Sequence, residues 1–200
     1  VVPRFFLHGR STERHRLDLR AAKTYEIAVF RGWSKALWRP MTKADLPRVV
    51  EIAAEVHPGY PEDTEVLIDR LRLYPQGCHV LVQSGSANGY VISHPWRDGD
   101  PPALNTLLSK LPAVPSTYYI HDLALLPTAR RSGAANTIVA TLFDHARQEN
   151  FTTATLVAVN NSGRFWRKHG FHVVHDEAVA AKLRSYGADA RLMRATLSPV

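Results

Sequence analysis

Residues 117–159 limit the fold more than any other part of the chain. They read "TYYIHDLALL", then "PTARRSGAA", then "NTIVATLFDHARQEN", then "FTTATLVAV". The first and last pieces are aliphatic runs of strand character. Between them Ile138, Val139, Leu142, Phe143 and Ala146 recur at helical spacing, so the segment opening at Gly133 is an amphipathic helix. A strand, a helix and a second strand joined this closely form a parallel crossover of right-handed sense. The chain must therefore build a sheet that holds a parallel pair and carries a helix on one face.

The rest of the body supplies more pieces of the same kind. "LWRPM" predicts a short strand, and Thr42 three residues before Asp45 is a capping-box-like start for the helix "LPRVVEIAAEV". "TEVLIDRLRLY" is a second helix, ended by Pro75. "CHVLVQS" and "GYVISHP" read as strands of a hairpin turning through "GSANG". "ALNTLLSKL" is a short helix or an excursion, "SGRFWRKHG" a short helix closed by Gly170, and "FHVVH" and "DARLMRATL" further strands. The sum is a mixed α/β domain with helices packed on a sheet.

Charge divides the chain. Residues 1–40 hold nine Lys or Arg against three Asp or Glu, whereas residues 41–200 hold sixteen against fifteen. The overall +7 is thus local to the start, and the body lacks the basic footprint of a nucleic-acid binder. Residues 1–36 are expected to be a poorly ordered basic extension, in which "LDLRAAKTYEIAVFRGW" has some helical character, and residues 37–200 the folded domain. The extension has no apolar core of a secretory signal, and no run approaches the ~18 apolar residues of a membrane span. A single cysteine, Cys78, favours a reducing, cytoplasmic setting. Neither nucleic acid nor membrane is expected as a partner; a homodimer is left open.

The turn after the first strand has chemistry of its own. A glycine-bearing turn opening a helix presents unpaired N–H groups at the positive end of the helix dipole, which attracts phosphate. Gly133, Ala134 and Ala135 let an anion approach the backbone closely. Arg130 and Arg131 either add charge or pin the turn. Neither a Walker loop nor a Rossmann fingerprint is present.

"LALLPTARRSGAA" resembles the acetyl-CoA-binding motif of the GNAT superfamily of N-acetyltransferases, where an aliphatic-x-Pro strand end precedes Gln/Arg-x-x-Gly-x-Gly/Ala. Arg130, Gly133 and Ala135 hold its defining places, with Leu125 and Pro127 before them. "VAVNNSGRFWRKHGF" is similar to the later strand and short helix of that superfamily, with Ser162, Phe165 and Gly170–Phe171 in place. "WRPMTKADLPRVVEIA" looks like its first strand and helix, so the resemblance spans about residues 37–196.

The resemblance implies a mostly antiparallel sheet in which two parallel strands splay apart to admit the pantetheine arm of acetyl-CoA. Leu125 and Leu126 would offer it backbone hydrogen bonds. Arg131, Ser132, Gly133, Ala134 and Ala135, with Asn136, would hold the pyrophosphate through main-chain N–H groups. Asn160 and Asn161 fall slightly out of register for a CoA contact. A primary amine of a small molecule, amino acid or peptide would attack the thioester directly.

Such an amine needs a base, because an alkylammonium has a pKa near ~10. His121 stands where the superfamily often has a carboxylate, and period two sets it on the face of Leu123 and Leu125. Asp122 points the other way in an ideal strand and would be chosen instead if the strand bulged there. A water relay is the third option. Trp166 occupies the place of the tyrosine that often protonates the leaving thiolate; an indole N–H donates a hydrogen bond but is no practical acid.

"EVHPGYPED" sits where the acceptor pocket is shaped in the resembling proteins, which makes His57 and Tyr60, with Glu62 and Asp63, acceptor candidates. "VISHPWRDGD" adds His94, Trp96 and Arg97. No metal site is expected, since His169, His172 and His175 lack a ligand pattern. Three readings result: an acetyl-CoA-dependent N-acetyltransferase, an idle acyl-CoA-binding domain for which Trp166 speaks, and a fold carried by a basic arm that recruits nucleic acid or membrane.

Overall fold

The computed structural model describes residues 25–27 and 36–198. In chain order it contains strands β1 (Tyr25–Ile27) and β2 (Ala36–Pro40), helices α1 (Leu46–Val56) and α2 (Thr64–Leu73), and strands β3 (Cys78–Gln83), β4 (Ser86–Trp96) and β5 (Thr117–Leu125). Helix α3 (Ala134–Gln148), β6 (Thr153–Ala158), α4 (Gly163–Lys168), β7 (His172–Val173), α5 (Glu177–Leu183) and β8 (Arg191–Thr196) complete it. The strands form one sheet in the order β1-β2-β3-β4-β5-β6-β8-β7. Every neighbouring pair is antiparallel except β5–β6, the pair joined through α3.

Local chemistry explains most boundaries. The Thr42 amide donates to Asp45 Oδ2 at 2.8 Å, and Arg39 grips the same carboxylate from β2, so the entry to α1 is tied to the sheet. The hairpin between β3 and β4 is tighter than "GSANG" suggested. Ser84 and Gly85 both have positive φ and make a two-residue turn, so β4 starts at Ser86. Tyr25–Ile27 pairs with β2 as a strand instead of joining a helix. The rest of the basic extension lies outside the described residues. No helix forms at 103–111, where Asn105 and Ser109 have left-handed backbones that interrupt one; the excursion is what occurs.

Two apolar clusters sandwich the sheet. Trp38, Tyr118, Ile138, Leu142, Leu156 and Met193 belong to the one beneath α3, whereas Val49, Ile52, Leu67, Val80, Tyr90 and Ile92 belong to the one beneath α1 and α2. Strand β5 contributes to both, and its alternation changes phase part-way. Tyr118 and Ile120 pack on the α3 side, yet so do Leu123 and Leu125, while Ala124 belongs to the other cluster. The cause is a β-bulge: Ile92 pairs with Asp122 and Ser93 with Ile120, which leaves His121 as the extra residue.

Strands β5 and β6 part company soon after they meet. Their pairing is confined to Tyr118–Ala154 and Tyr119–Thr155, although β5 runs on to Leu125 and β6 to Ala158. Threonine hydroxyls close the base of the fork, with Thr153 and Thr155 Oγ1 donating to Thr117 Oγ1 at 3.1 and 3.2 Å. Beyond it the strands splay.

Candidate active site

The bulge decides what faces the splay. It brings His121 and Asp122, consecutive residues, to the same side of β5, the side covered by α1 and α2. The expectation that His121 shares a face with Leu123 and Leu125 is thereby corrected. The extra residue reverses the alternation between them.

Each of the two residues meets a partner from the α1–α2 loop. His121 Nε2 lies 2.9 Å from Glu62 Oε2, both side chains being about nine-tenths buried or more. His57, the residue capping α1, places Nε2 3.0 Å from Asp122 Oδ1, a contact too bent to be a good hydrogen bond. The Tyr90 hydroxyl from β4 donates to the other oxygen of Asp122. Two histidine–carboxylate pairs thus stand side by side.

The carboxylates are held ionised. Burial raises the pKa of Glu62, but the charge and hydrogen bond of His121 outweigh it and the net shift is downward. Asp122 behaves alike, burial being overcome by His57, by the Tyr90 hydroxyl and by His121. For His57, burial pulls the pKa down most, but the charge and close contact of Asp122, with the charge of Glu62, together outweigh it and leave the pKa above its usual 6.5.

Two cavities meet here. One, of about 300 Å³, lies under α1 and its following loop and is lined by Glu62, Tyr90, Tyr119 and Tyr186 among others. The second, of about 250 Å³, opens between the end of β5, the start of α3 and helix α4, with Leu125, Arg130, Ala135, Asn160, Phe165 and Trp166 on its walls. His57, His121 and Asp122 line both.

The second cavity ends on the turn. Gly133 caps α3 with φ +86°, a left-handed conformation that glycine adopts freely, and a Cβ there would meet nothing within 4 Å. The Ser132 hydroxyl donates to the Ala129 carbonyl at 2.8 Å and accepts from the Ala134 amide at 3.2 Å. Among the described residues the amides of Gly133, Ala135 and Asn136 have no partner, so the helix N-terminus fits an anion. Arg130 donates from Nε to the Leu125 carbonyl at 3.0 Å, so this arginine pins the turn as well as bearing charge. Arg131, exposed and left-handed at φ +61°, lines neither cavity. Asn136 contacts His169 Nε2 at 3.1 Å, linking α3 to the end of α4.

The other expected residues sort as follows. The Leu126 amide donates to the Asn88 carbonyl and its carbonyl accepts from Ala129, so its backbone is already used. Leu125 pairs across β4 with Gly89, one place along, so alternation turns its own N–H and C=O toward the splay, where the C=O already accepts from Arg130. Asn160 lies 3.3 Å from His57 Nδ1 and lines the second cavity, while the Asn161 amide donates to Asp189 instead. Tyr60 lines the first cavity, its hydroxyl donating to Asp189.

His94 is only 1% exposed and lies behind His121, 6.2 Å away ring to ring, so it lines neither cavity, contrary to expectation. Its burial lowers its pKa to about 3. Arg97 stacks over Trp96, and Asp63 bonds to Asn105; these too stay outside. Trp166 is wedged edge-on between Phe165 and Phe171, at ring distances of 4.9 and 5.4 Å. Among the described residues no cluster of His, Cys, Asp and Glu is arranged for a metal ion, and no helix is long and apolar enough to cross a membrane.

Sequence reasoning missed Tyr90, and Asn105, whose amide donates to Glu62 Oε1 at 3.2 Å. It placed Glu62 in a loop without the partner that lies 59 positions along the chain. The profile of the acetyltransferase (GNAT) family matches residues 38–171, from β2 through α4. The chain belongs to this family. Both cavities of this GNAT domain are built mainly within the matched stretch. A comparison with curated protein sequences found no match.

Among solved structures, the GNAT chain is similar to Ard1 from Thermoplasma volcanium, with a TM-score of 0.62, 16% identity, and coverage of 82% of this chain and 98% of that one. It is similar to GphF, a GNAT-like decarboxylase in complex with isobutyryl-CoA, at TM-score 0.65 and 14% identity, covering 80% and 99%. N-acetylglutamate synthase from Neisseria gonorrhoeae, complexed with coenzyme A and N-acetyl-glutamate, gives 0.59 and 17%, covering 82% of this chain and 35% of that one. At these identities the likeness is one of fold.

Proposed function

We propose that the protein transfers an acetyl group from acetyl-CoA to a primary amine by direct attack, at the place where the two cavities meet. The meeting of both cavities at His121 and Asp122 is the observation that supports it. The second cavity leads to the free amides of Gly133, Ala135 and Asn136, suited to the pyrophosphate, and to the Leu125 N–H, suited to a pantetheine carbonyl. Acetyl-CoA supplies an acyl carbon activated as a thioester. The first cavity receives the amine.

Glu62 accepts from His121 Nε2, which fixes the tautomer and places the lone pair on Nδ1, an atom that is buried and has no partner among the described residues. His121 takes one proton from the ammonium, the amine nitrogen forms the new N–C bond, the C–S bond breaks, and the sulfur leaves with its electron pair and takes up the second nitrogen proton. His57 takes Asn160 at Nδ1 and lies against Asp122 at Nε2, and we assign it to positioning Asp122. Trp166 forms a wall, and the thiolate departs without a tyrosine. The single cysteine, Cys78, is buried and free, which fits a reducing compartment such as the cytoplasm.

A second reading, an idle acyl-CoA-binding domain, draws on Trp166 alone. Thermal stability with acetyl-CoA, CoA and ATP in parallel, followed by assay of amine-dependent CoA release, separates the two. A ligand at 100 times its dissociation constant adds about 2.7 kcal/mol to native stability. Stabilisation by both CoA species but not ATP, with amine-dependent release, is the expected result. Stabilisation without release under any amine supports the idle domain, and no stabilisation removes both readings.

A further inference from the structure

We infer that the cavity under α1 takes a primary amine with an apolar alkyl or arylalkyl body that carries no carboxylate. This deepens the proposed function and rests on it for the amine. Charge is the first argument. Glu62 and Asp122 are the acids of the lining, His57 and His121 the basic groups, and neither Arg nor Lys is among them. An acceptor's own carboxylate would face two carboxylates with no fixed cation to receive it. Arg70 of α2 is fully buried, donates to the Thr106 carbonyl at 2.9 Å and does not line the cavity, so its charge acts on Glu62 from behind the wall and is not open to an occupant.

The hydroxyl groups are the second argument. Four tyrosines line the space: the hydroxyls of Tyr60, Tyr90 and Tyr186 are bonded to Asp189, Asp122 and the Pro102 carbonyl in turn, and Tyr119 is buried beside them. What they offer an occupant is ring surface. Val50, Ala53, Leu67, Val157 and Val159 complete walls with little to satisfy a hydroxyl, a carboxylate or a peptide backbone. Polar groups converge only near His121 and Asp122, where an ammonium would be held by the carboxylates and the ring faces. At about 300 Å³ the cavity is at the small end of small-molecule sites, which span ~300–1,000 Å³.

The test uses the full chain and acetyl-CoA with matched pairs: phenethylamine against phenylalanine, hexylamine against aminohexanoic acid, and a tripeptide beginning with phenylalanine. The expected result is that both simple amines are acetylated and that kcat/KM for each acid, and for the peptide, is lower by about a hundredfold or more. Equal or better turnover of an acid or of the peptide overturns this inference and leaves acetyl transfer standing. If nothing is turned over, calorimetric titration of phenethylamine and phenylalanine into the protein with CoA decides. Selective binding of phenethylamine upholds the inference and removes the transfer reading. Equal binding, or none, overturns the inference.

Discussion

Glu62 Oε2 sits 2.9 Å from His121 Nε2, while Glu62 Oε1 accepts the Asn105 amide at 3.2 Å. One carboxylate therefore ties the bulge of β5 to the loop that follows β4. It also orients the imidazole, much as an acid orients a catalytic histidine elsewhere. Glu62→Gln keeps the shape and removes the charge. It should lower kcat by about ten- to a hundredfold and leave acetyl-CoA affinity unchanged. Equal loss of kcat and of acetyl-CoA affinity would show instead that the site had collapsed.

Asn105 should act through Glu62. In Asn105→Gly the left-handed backbone, φ +53°, and the amide donor are kept, whereas the side-chain bonds to Asp63 are lost. The variant should keep most of its activity, and Asn105→Pro, which removes the amide, should lose it. Turnover of the two at one pH is the comparison, and equal rates would remove Asn105 as a positioning residue.

The pH dependence of stability has a sign. His57 has its pKa raised above 6.5 in the folded state, Asp122 overcoming the effect of burial. Its contribution is fully present below about pH 6.5 and is lost as pH rises through the higher folded value. Asp122 and Glu62 have lowered values, so their contributions are present above the ordinary carboxylate range and fade as pH falls through the folded values. The melting temperature of the wild type should therefore decline through neutral pH more than that of His57→Gln. Parallel curves would show that the His57–Asp122 contact carries no net interaction.

Gly133 separates backbone from charge. Gly133→Ala meets no atom but must adopt φ +86°, at about 1–2 kcal/mol, or about 2–8 °C in melting temperature. Gly133→Asp adds a carboxylate where a phosphate is expected and should abolish CoA binding. CoA affinity of both variants by calorimetry is the check; undiminished affinity in Gly133→Asp would mean that the turn holds no phosphate.

Trp166 is 7% exposed. Trp166→Ala should destabilise by about 3–5 kcal/mol through the cavity it leaves. Trp166→Phe keeps an aromatic wall without the N–H, and its kcat should stay near that of the wild type. A fall of more than about tenfold, with the fold intact by circular dichroism, would give the indole N–H a part in the chemistry.

Much of the frame was legible in the chain. The run from Thr117 to Ala158 is stamped by a change of hydrophobic period and by Pro127 and Gly133, which are local signals. Helix α5 was missed even though Asp176 accepts from the Ala178 amide as an N-cap should; at seven residues its pattern is too brief to stand out. The site was harder to read because its geometry is not local. No glycine or proline marks the bulge at His121, which exists only through the register of β4 against β5. Its neighbour Asp122 finds His57 and Tyr90, and His121 finds Glu62, only once the α1–α2 loop has closed over the sheet. His94 misled because a histidine near the end of a strand gives no local sign that the rings of Trp96, Tyr119 and His121 will close around it.

The central claim is that His121 takes the proton of an amine attacking acetyl-CoA between the two cavities. Steady-state CoA release by wild type and His121→Ala, with calorimetry of acetyl-CoA binding on the same samples, tests it most directly. The account predicts amine-dependent release by the wild type, and a loss of about 10²–10⁴ in kcat for the variant with acetyl-CoA affinity retained. Unchanged turnover in His121→Ala, or no amine-dependent release by the wild type, would contradict it.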